Sequence, residues 1–214
     1  MRKLLVLFFD LLYHQFAWTY DLVSSLVSLG QWKNWVLTPL PMLRHGPILE
    51  LGFGPGHLLK TARSEDRAMF GVDLSPQMAR IAHRRLTRES EHPDISIGNA
   101  RNLPFPDGAF EQIVATFPSE YFFELDTLKE IHRALKPSGE IILVPMAWIR
   151  GNTVLHTLLR WVYKITGQSV EKGDSIFEAG KQVFDRVGFD VEISTIDFPH
   201  SEVLVLTGRK KKQS

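Results

Sequence analysis

Three glycines at alternate positions, Gly52, Gly54 and Gly56, end an apolar run that begins Ile48-Leu49-Glu50-Leu51. Inside a regular helix or strand such a triplet is costly, because each glycine loses about 1 kcal/mol relative to alanine. The spacing suits a point where a buried strand turns sharply into a helix while its backbone passes within contact distance of a ligand. The residues before the triplet read as that strand, and those from Leu58 onward as an apolar-periodic helix. The first N–H groups of the helix then face the turn, a natural seat for a carboxylate or phosphate. A plain connection whose glycines serve packing alone has the same local pattern, so the rest of the chain decides between them.

That chain alternates. A helix over about 55–62 is followed by a strand over 68–73 that ends on Asp73, and Ser75-Pro76 supplies an N-cap and first-turn proline for a helix reaching about residue 88. Strands are expected at 94–97, 111–117 and 140–144, with a helix over 123–135 and a turn at Lys136-Pro137-Ser138-Gly139. An insertion over about 147–173, carrying Trp148, His156, Trp161 and Tyr163, precedes a helix over 175–187. Two last strands, 191–196 and 203–207, are close enough to pair antiparallel. The expectation is an α/β fold: a Rossmann-like, seven-stranded, mostly parallel sheet with helices on both faces and a C-terminal antiparallel hairpin.

Residues 1–45 are expected to form an N-terminal helical cap on the same domain, with 46–214 as the core. The cap is rich in large apolar groups, among them Phe8, Phe9, Phe16, Trp18 and Tyr20, and Gly30 punctuates it before Trp32 and Trp35. Met1-Arg2-Lys3 and the apolar run after it resemble a secretory signal. Asp10 breaks that run, however, and it is too short for a spanning helix, which needs roughly 20 apolar residues. A cytoplasmic protein is expected, with peripheral membrane contact through the N-terminal helix. Lys and Arg total 25 against 24 Asp and Glu, so no bulk charge draws the chain toward nucleic acid. The absence of cysteine excludes disulfides and thiolate chemistry, and no metal site is expected.

Ligands of such sheets gather at the carboxyl ends of the strands, beside the topological switch point. That rim would carry the glycine turn, Asp73, Asn99, Ala100 and the segment from Phe117 to Tyr121. A carboxylate at the end of the second strand suits ribose hydroxyls, so a nicotinamide or flavin dinucleotide is the first candidate ligand. The dinucleotide fingerprint would place its third glycine where His57 stands. The chain instead offers Glu50-x-Gly52-x-Gly54-x-Gly56.

With Gly71-Val72-Asp73-Leu74-Ser75-Pro76-Gln77-Met78, Asn99-Ala100-Arg101-Asn102-Leu103-Pro104-Phe105 and Ala134-Leu135-Lys136-Pro137-Ser138-Gly139-Glu140, that block resembles the class I S-adenosyl-L-methionine (SAM) methyltransferases of the type 11-like group. The looser N-terminal match at Tyr20-Asp21-Leu22, Ser28-Leu29-Gly30 and Trp35 is similar to the ubiquinone/menaquinone-type C-methyltransferases. The resemblance implies SAM as cofactor and S-adenosyl-L-homocysteine (SAH) as product. Glu50, Gly52, Phe53, Gly54 and Gly56 would approach the methionine portion, and Asp73 the ribose. Leu74, Met78, Asn99 and Ala100 would border the adenine, and Phe117, in a segment where relatives also place acceptor-facing residues, completes the expected cofactor-binding set. Asn99 and Glu111 stand where relatives carry Asp.

The implied activity is methyl transfer to a small apolar or aromatic acceptor, quinone-like or lipid-like. A non-catalytic SAM-binding or scaffolding protein is the alternative. Displacement at a sulfonium needs positioning and exclusion of water more than covalent help. If a base is required, Tyr20, His14, Tyr121 and His156 are the candidates; His132 is set aside as lying away from the rim.

Overall fold

The computed structural model describes residues 24–25, 28–87, 93–150 and 174–211, with side chains of 174–179 excepted. Most of the expected cap, including Tyr20 and His14, lies outside them, as does nearly all of the insertion with His156.

The central layer is a sheet in the order β3-β2-β1-β4-β5-β8, with β7 on the far side of β8. Strands β1 (Ile48–Leu51), β2 (Met69–Asp73), β3 (Ile95–Ile97), β4 (Phe110–Thr116) and β5 (Leu135–Val144) run parallel. β7 (Phe189–Phe198) and β8 (Ser201–Lys210) form a hairpin joined across two residues, and β8 pairs antiparallel with β5. Both faces are covered, which is why β1 is buried at all four positions and β4 from Gln112 to Ala115.

Helices α2 (His57–Ser64), α3 (Pro76–Leu86), α4 (Leu125–Ala134) and α5 (Asp174–Arg186) complete the layers. They follow a short cap helix α1 (Trp32–Val36). α3 starts as its sequence requires: Ser75 Oγ accepts the Met78 N–H at 3.3 Å and Pro76 fills the first turn. One core cluster gathers Leu128, Ile131, Phe184 and Phe189 under one face; the other gathers Trp35, Val36, Leu58, Leu59 and Ala82 under the other. His132, edge-on to Phe189 at 5.2 Å, lies away from the rim.

Two expectations change. The segment 136–139 is not a turn ahead of the strand but an irregularity inside β5. Leu135 pairs with Phe110 and Glu140 with Gln112, so the intervening residues are looped out of register. The segment expected to be an insertion opens on a further strand. Ala147–Ile149 forms β6, which follows β5 across Pro145-Met146 and pairs along the same edge of β8, giving eight strands among the described residues where seven were expected. Short apolar stretches after a proline give little period to read, and the partner strand lies more than fifty residues away.

The segment before β1 is pinned to the sheet from below. Gln112 accepts the Arg44 N–H at 2.7 Å and donates to Met42 O and Glu140 at 3.1 Å each, while Arg44 and Arg209 pair with the buried Glu140. Farther back, the cap helix α1 reaches the carboxyl ends of β1 and β4, where Trp32 and Val36 border Gly52, Thr116 and Phe117.

Candidate binding site at the carboxyl ends of the strands

Gly52, Gly54 and Gly56 all have positive φ, at 69°, 53° and 79°. The left-handed region costs other residues about 1–2 kcal/mol each, so the alternate-glycine spacing is a conformational requirement of this turn. A Cβ on Gly56 would stand 3.0 Å from that of Ala82 in α3, whereas one on Gly54 would meet nothing within 4 Å. Packing explains Gly56. At Gly54 the turn borders open space.

Asp73 ties this turn to the next element. Its two oxygens accept the Gly54 and Ser75 N–H groups, each at 2.8 Å, and the residue is 3% exposed. The carboxylate thus links the glycine turn to the start of α3. Glu50, 1% exposed, is treated differently. The Leu59 N–H in the first turn of α2 donates to its carboxyl, yet Oε2 has no hydrogen-bond partner among the described residues. Burial first, and the Asp73 charge second, hold its pKa well above the usual carboxylate range, with the Leu59 bond opposing.

The other expected residues fall into three settings. Leu74 is 70% exposed at the end of β2, next to Ile97 at 57%, and exposed Asn99 accepts the Arg101 N–H at 3.0 Å in a short turn that buries Ala100. Phe53 and Met78 are enclosed by protein; Phe53 packs over Gly71, where a Cβ would approach its ring to 2.7 Å. Phe117 and Tyr121 stand on the β4 side.

There a narrow cleft of about 50 Å³ opens between the glycine turn and the cap, lined by Trp32, Val36, Gly54, His57, Thr116 and Phe117 among others. Phe117 has φ 49°, a left-handed conformation in a residue that is not glycine, immediately after β4. Its ring lies 4.8 Å from that of Trp32, tilted 36°, and 6.2 Å from that of Trp35. Trp35 is fixed in turn by donating Nε1–H to Ser201 Oγ at 2.8 Å. The Tyr121 hydroxyl hangs over the turn, 3.0 Å from where a Cβ of Gly52 would be. Burial and the Asp73 charge push its pKa up to about 12, so at neutral pH it is a phenol that donates and not a base.

Sequence reasoning placed the glycine turn, Asp73, Phe117 and Tyr121 on one rim, and the structure brings them together. It missed the cleft residues Trp32, His57 and Thr116. The aromatic run after Gly30 was the one signal available for Trp32.

A nucleoside carrying an amino-acid chain fits this arrangement. An orphaned buried carboxyl oxygen suits an ammonium, open space adjoins Gly54, and a backbone-fixed Asp73 borders exposed apolar Leu74 and Ile97.

Residues 48–139 match the family model described as a methyltransferase domain. The chain is 30% identical to the demethylmenaquinone methyltransferase of Chlorobaculum tepidum, over 94% of this chain and 84% of that protein. It is 28% identical to the ubiquinone/menaquinone biosynthesis C-methyltransferase of Rubrivivax gelatinosus, over 84% and 74%. With the demethylmenaquinone methyltransferase of Symbiobacterium thermophilum it shares 33% identity over 61% of its length, spanning little more than half, 56%, of that relative. Among solved structures, phosphoethanolamine N-methyltransferase 2 of Haemonchus contortus in complex with S-adenosyl-L-methionine aligns with a TM-score of 0.61 at 18% identity. That alignment covers 95% of this chain and 60% of the other. A protein from Pyrococcus horikoshii aligns at 0.60 and 19%, over 94% and 96%. These two likenesses speak for the fold.

Proposed function

The chain belongs to the S-adenosyl-L-methionine-dependent methyltransferases, and from that premise we propose that it methylates a small, flat acceptor of the quinone type. The observation that carries the choice of acceptor is the pair of rings, Trp32 and Phe117, set beside the glycine turn. Its support from relatives is their names, which specify demethylmenaquinone or ubiquinone/menaquinone biosynthesis.

When bound, SAM supplies an electrophilic methyl group on a sulfonium. The chain's own residues hold and shield. Asp73, fixed by the Gly54 and Ser75 N–H groups, would accept ribose hydroxyls. Glu50 would face the ammonium of the methionine portion, with Gly52, Gly54 and Gly56 allowing the close approach of that chain. Leu74, Asn99 and Ala100 would border the adenine; Met78, enclosed, would act behind them. Phe117 and Trp32 would align the acceptor ring and keep water from it, a role of positioning and not of covalent chemistry. Tyr121 would donate a hydrogen bond near the turn.

Incubation with SAM and a panel of reduced naphthoquinones and benzoquinones, read by mass spectrometry, tests this. We expect a product heavier by one methylene, with SAH formed in equal amount. Tight SAH binding with no methylated product from any quinol would remove the acceptor assignment.

We extend the proposal to the membrane, where acceptors of that apolarity partition. No helix among the described residues is long and apolar enough to cross a bilayer. Peripheral contact would come from the apolar run after Arg2 and Lys3, each basic residue adding about 1 kcal/mol near an anionic surface. Deleting residues 1–12 should lower co-sedimentation with anionic vesicles, and unchanged recovery would refute the contact.

A further inference from the structure

Among the described residues, Glu50 is a buried carboxyl left with an oxygen that no hydrogen bond reaches. It sits in the middle strand of the parallel sheet, between Gly71 of β2 and Val114 of β4, neither of which carries charge. β2 contributes the Asp73 carboxylate. α2 contributes the Leu59 N–H, with His57 and Lys60 in its first turn, and the segment after β4 contributes the Tyr121 hydroxyl above Gly52. The charge acting on Glu50 from these elements is that of Asp73, and it is of like sign.

An ionised carboxylate in such a place lacks both water and a counter-charge, and the inexpensive remedy is to take up a proton. The direction of its pKa agrees. A ligand lying along the glycine turn changes this balance if it brings an ammonium, because a charge-assisted hydrogen bond to the carboxylate then replaces the proton.

We infer that docking of the donor at Glu50 is linked to a proton: the carboxyl holds one in the ligand-free protein and releases it to solvent as the ammonium of the methionine portion docks. This rests on assigning the glycine turn to SAM. The step balances: the carboxylic acid loses one proton to water, and the carboxylate formed accepts from the ligand's N–H. Affinity then rises with pH by about tenfold per unit below the pKa of Glu50 in the free protein, and levels off above it. A ligand lacking that ammonium gains nothing from the ionised form.

Isothermal titration calorimetry with SAH, in buffers of differing ionisation enthalpy at about pH 5.5, 6.5 and 7.5, counts the protons. We expect close to one proton released per SAH within that range, and none for 5′-methylthioadenosine, which keeps the nucleoside and thioether but lacks the α-ammonium of the amino-acid chain. The Glu50→Gln variant should bind SAH without proton release. If that variant does not bind SAH, the comparison of the two ligands on the unaltered protein still decides. SAH binding without proton release at all three pH values overturns the inference, as does equal release with 5′-methylthioadenosine, or undiminished release from Glu50→Gln. No SAH binding to the unaltered protein would overturn the assignment of the turn itself.

Discussion

Glu50 and Asp73 stand on neighbouring strands, one near the end of β1 and the other at the end of β2, both almost wholly buried. The fold provides for one of them and not the other. Asp73 accepts two backbone N–H groups and thereby holds the glycine turn against α3. Glu50 receives the Leu59 N–H and leaves an oxygen unmet beside a like charge. A buried group that helps the fold needs no ligand to account for it. One that harms the fold marks a place where a partner is expected, since local rules are broken chiefly at functional sites.

The largest effects should come from the side that serves both roles. Asp73→Ala strands the Gly54 and Ser75 N–H groups, at about 1–3 kcal/mol each, and removes the ribose acceptor. We expect SAH affinity to fall by roughly a hundredfold or more, from the loss of charged hydrogen bonds, with stability falling in denaturant titration. Gly54→Val places a β-branched residue at φ 53° and fills the open space, so SAH binding should again be lost. Retained affinity in both variants would mean that the turn does not hold the donor.

Glu50→Gln should act on stability with the opposite sign. A carboxyl whose folded pKa lies above its unfolded value contributes most below the unfolded pKa, and that contribution declines as pH rises through the folded one. The variant should therefore match the parent near pH 4 and be the more stable ligand-free protein at about pH 8. A gain of about 1 kcal/mol would raise Tm by about 2–4 °C for a chain of this size. A lower Tm at pH 8 would show that Glu50 supports the fold after all, and would erase its contrast with Asp73.

A smaller and more selective effect is expected at the cleft. Phe117→Leu keeps an apolar side chain but loses the ring set against Trp32 at 4.8 Å. An aromatic pair contributes about 0.5–1.5 kcal/mol beyond its area, so KM for a quinol should rise by roughly threefold to tenfold while the Kd for SAH stays the same. Equal losses in both would place Phe117 on the donor side of the rim.

The two sides of the site were unequally legible for a physical reason. The donor side is made by backbone conformation, and such requirements select residue types: glycine at positive φ, Ser75-Pro76 at a helix start, Asp73 where two N–H groups converge. The acceptor side is made by side chains from separate segments. Nothing in the local pattern pairs Trp32 with Phe117, and His57 was notable in sequence only for standing where a dinucleotide fingerprint would put glycine. Glu50 could be named as part of the glycine block, but its missing partner is a property of three packed elements. The looped-out residues 136–139 have turn composition without ending a strand, and β6 is a strand because β8 offers it an edge.

Tyr121 belongs to both sides, its backbone in the segment after β4 and its hydroxyl over Gly52, and its effect should be no larger than that at Phe117. With its pKa pushed up to about 12 by burial and by Asp73, the phenol keeps its proton throughout the working range. It offers a donor and no proton acceptor of useful strength. Tyr121→Phe removes that donor while keeping the ring, a change of about 0.5–1.5 kcal/mol if one neutral hydrogen bond to the ligand is lost. SAH binding should weaken by about threefold to tenfold, and the pH profile of kcat should keep its shape. A hundredfold fall in kcat, together with loss of the limb on which kcat rises with pH, would instead make Tyr121 the base and move it wholly to the acceptor side.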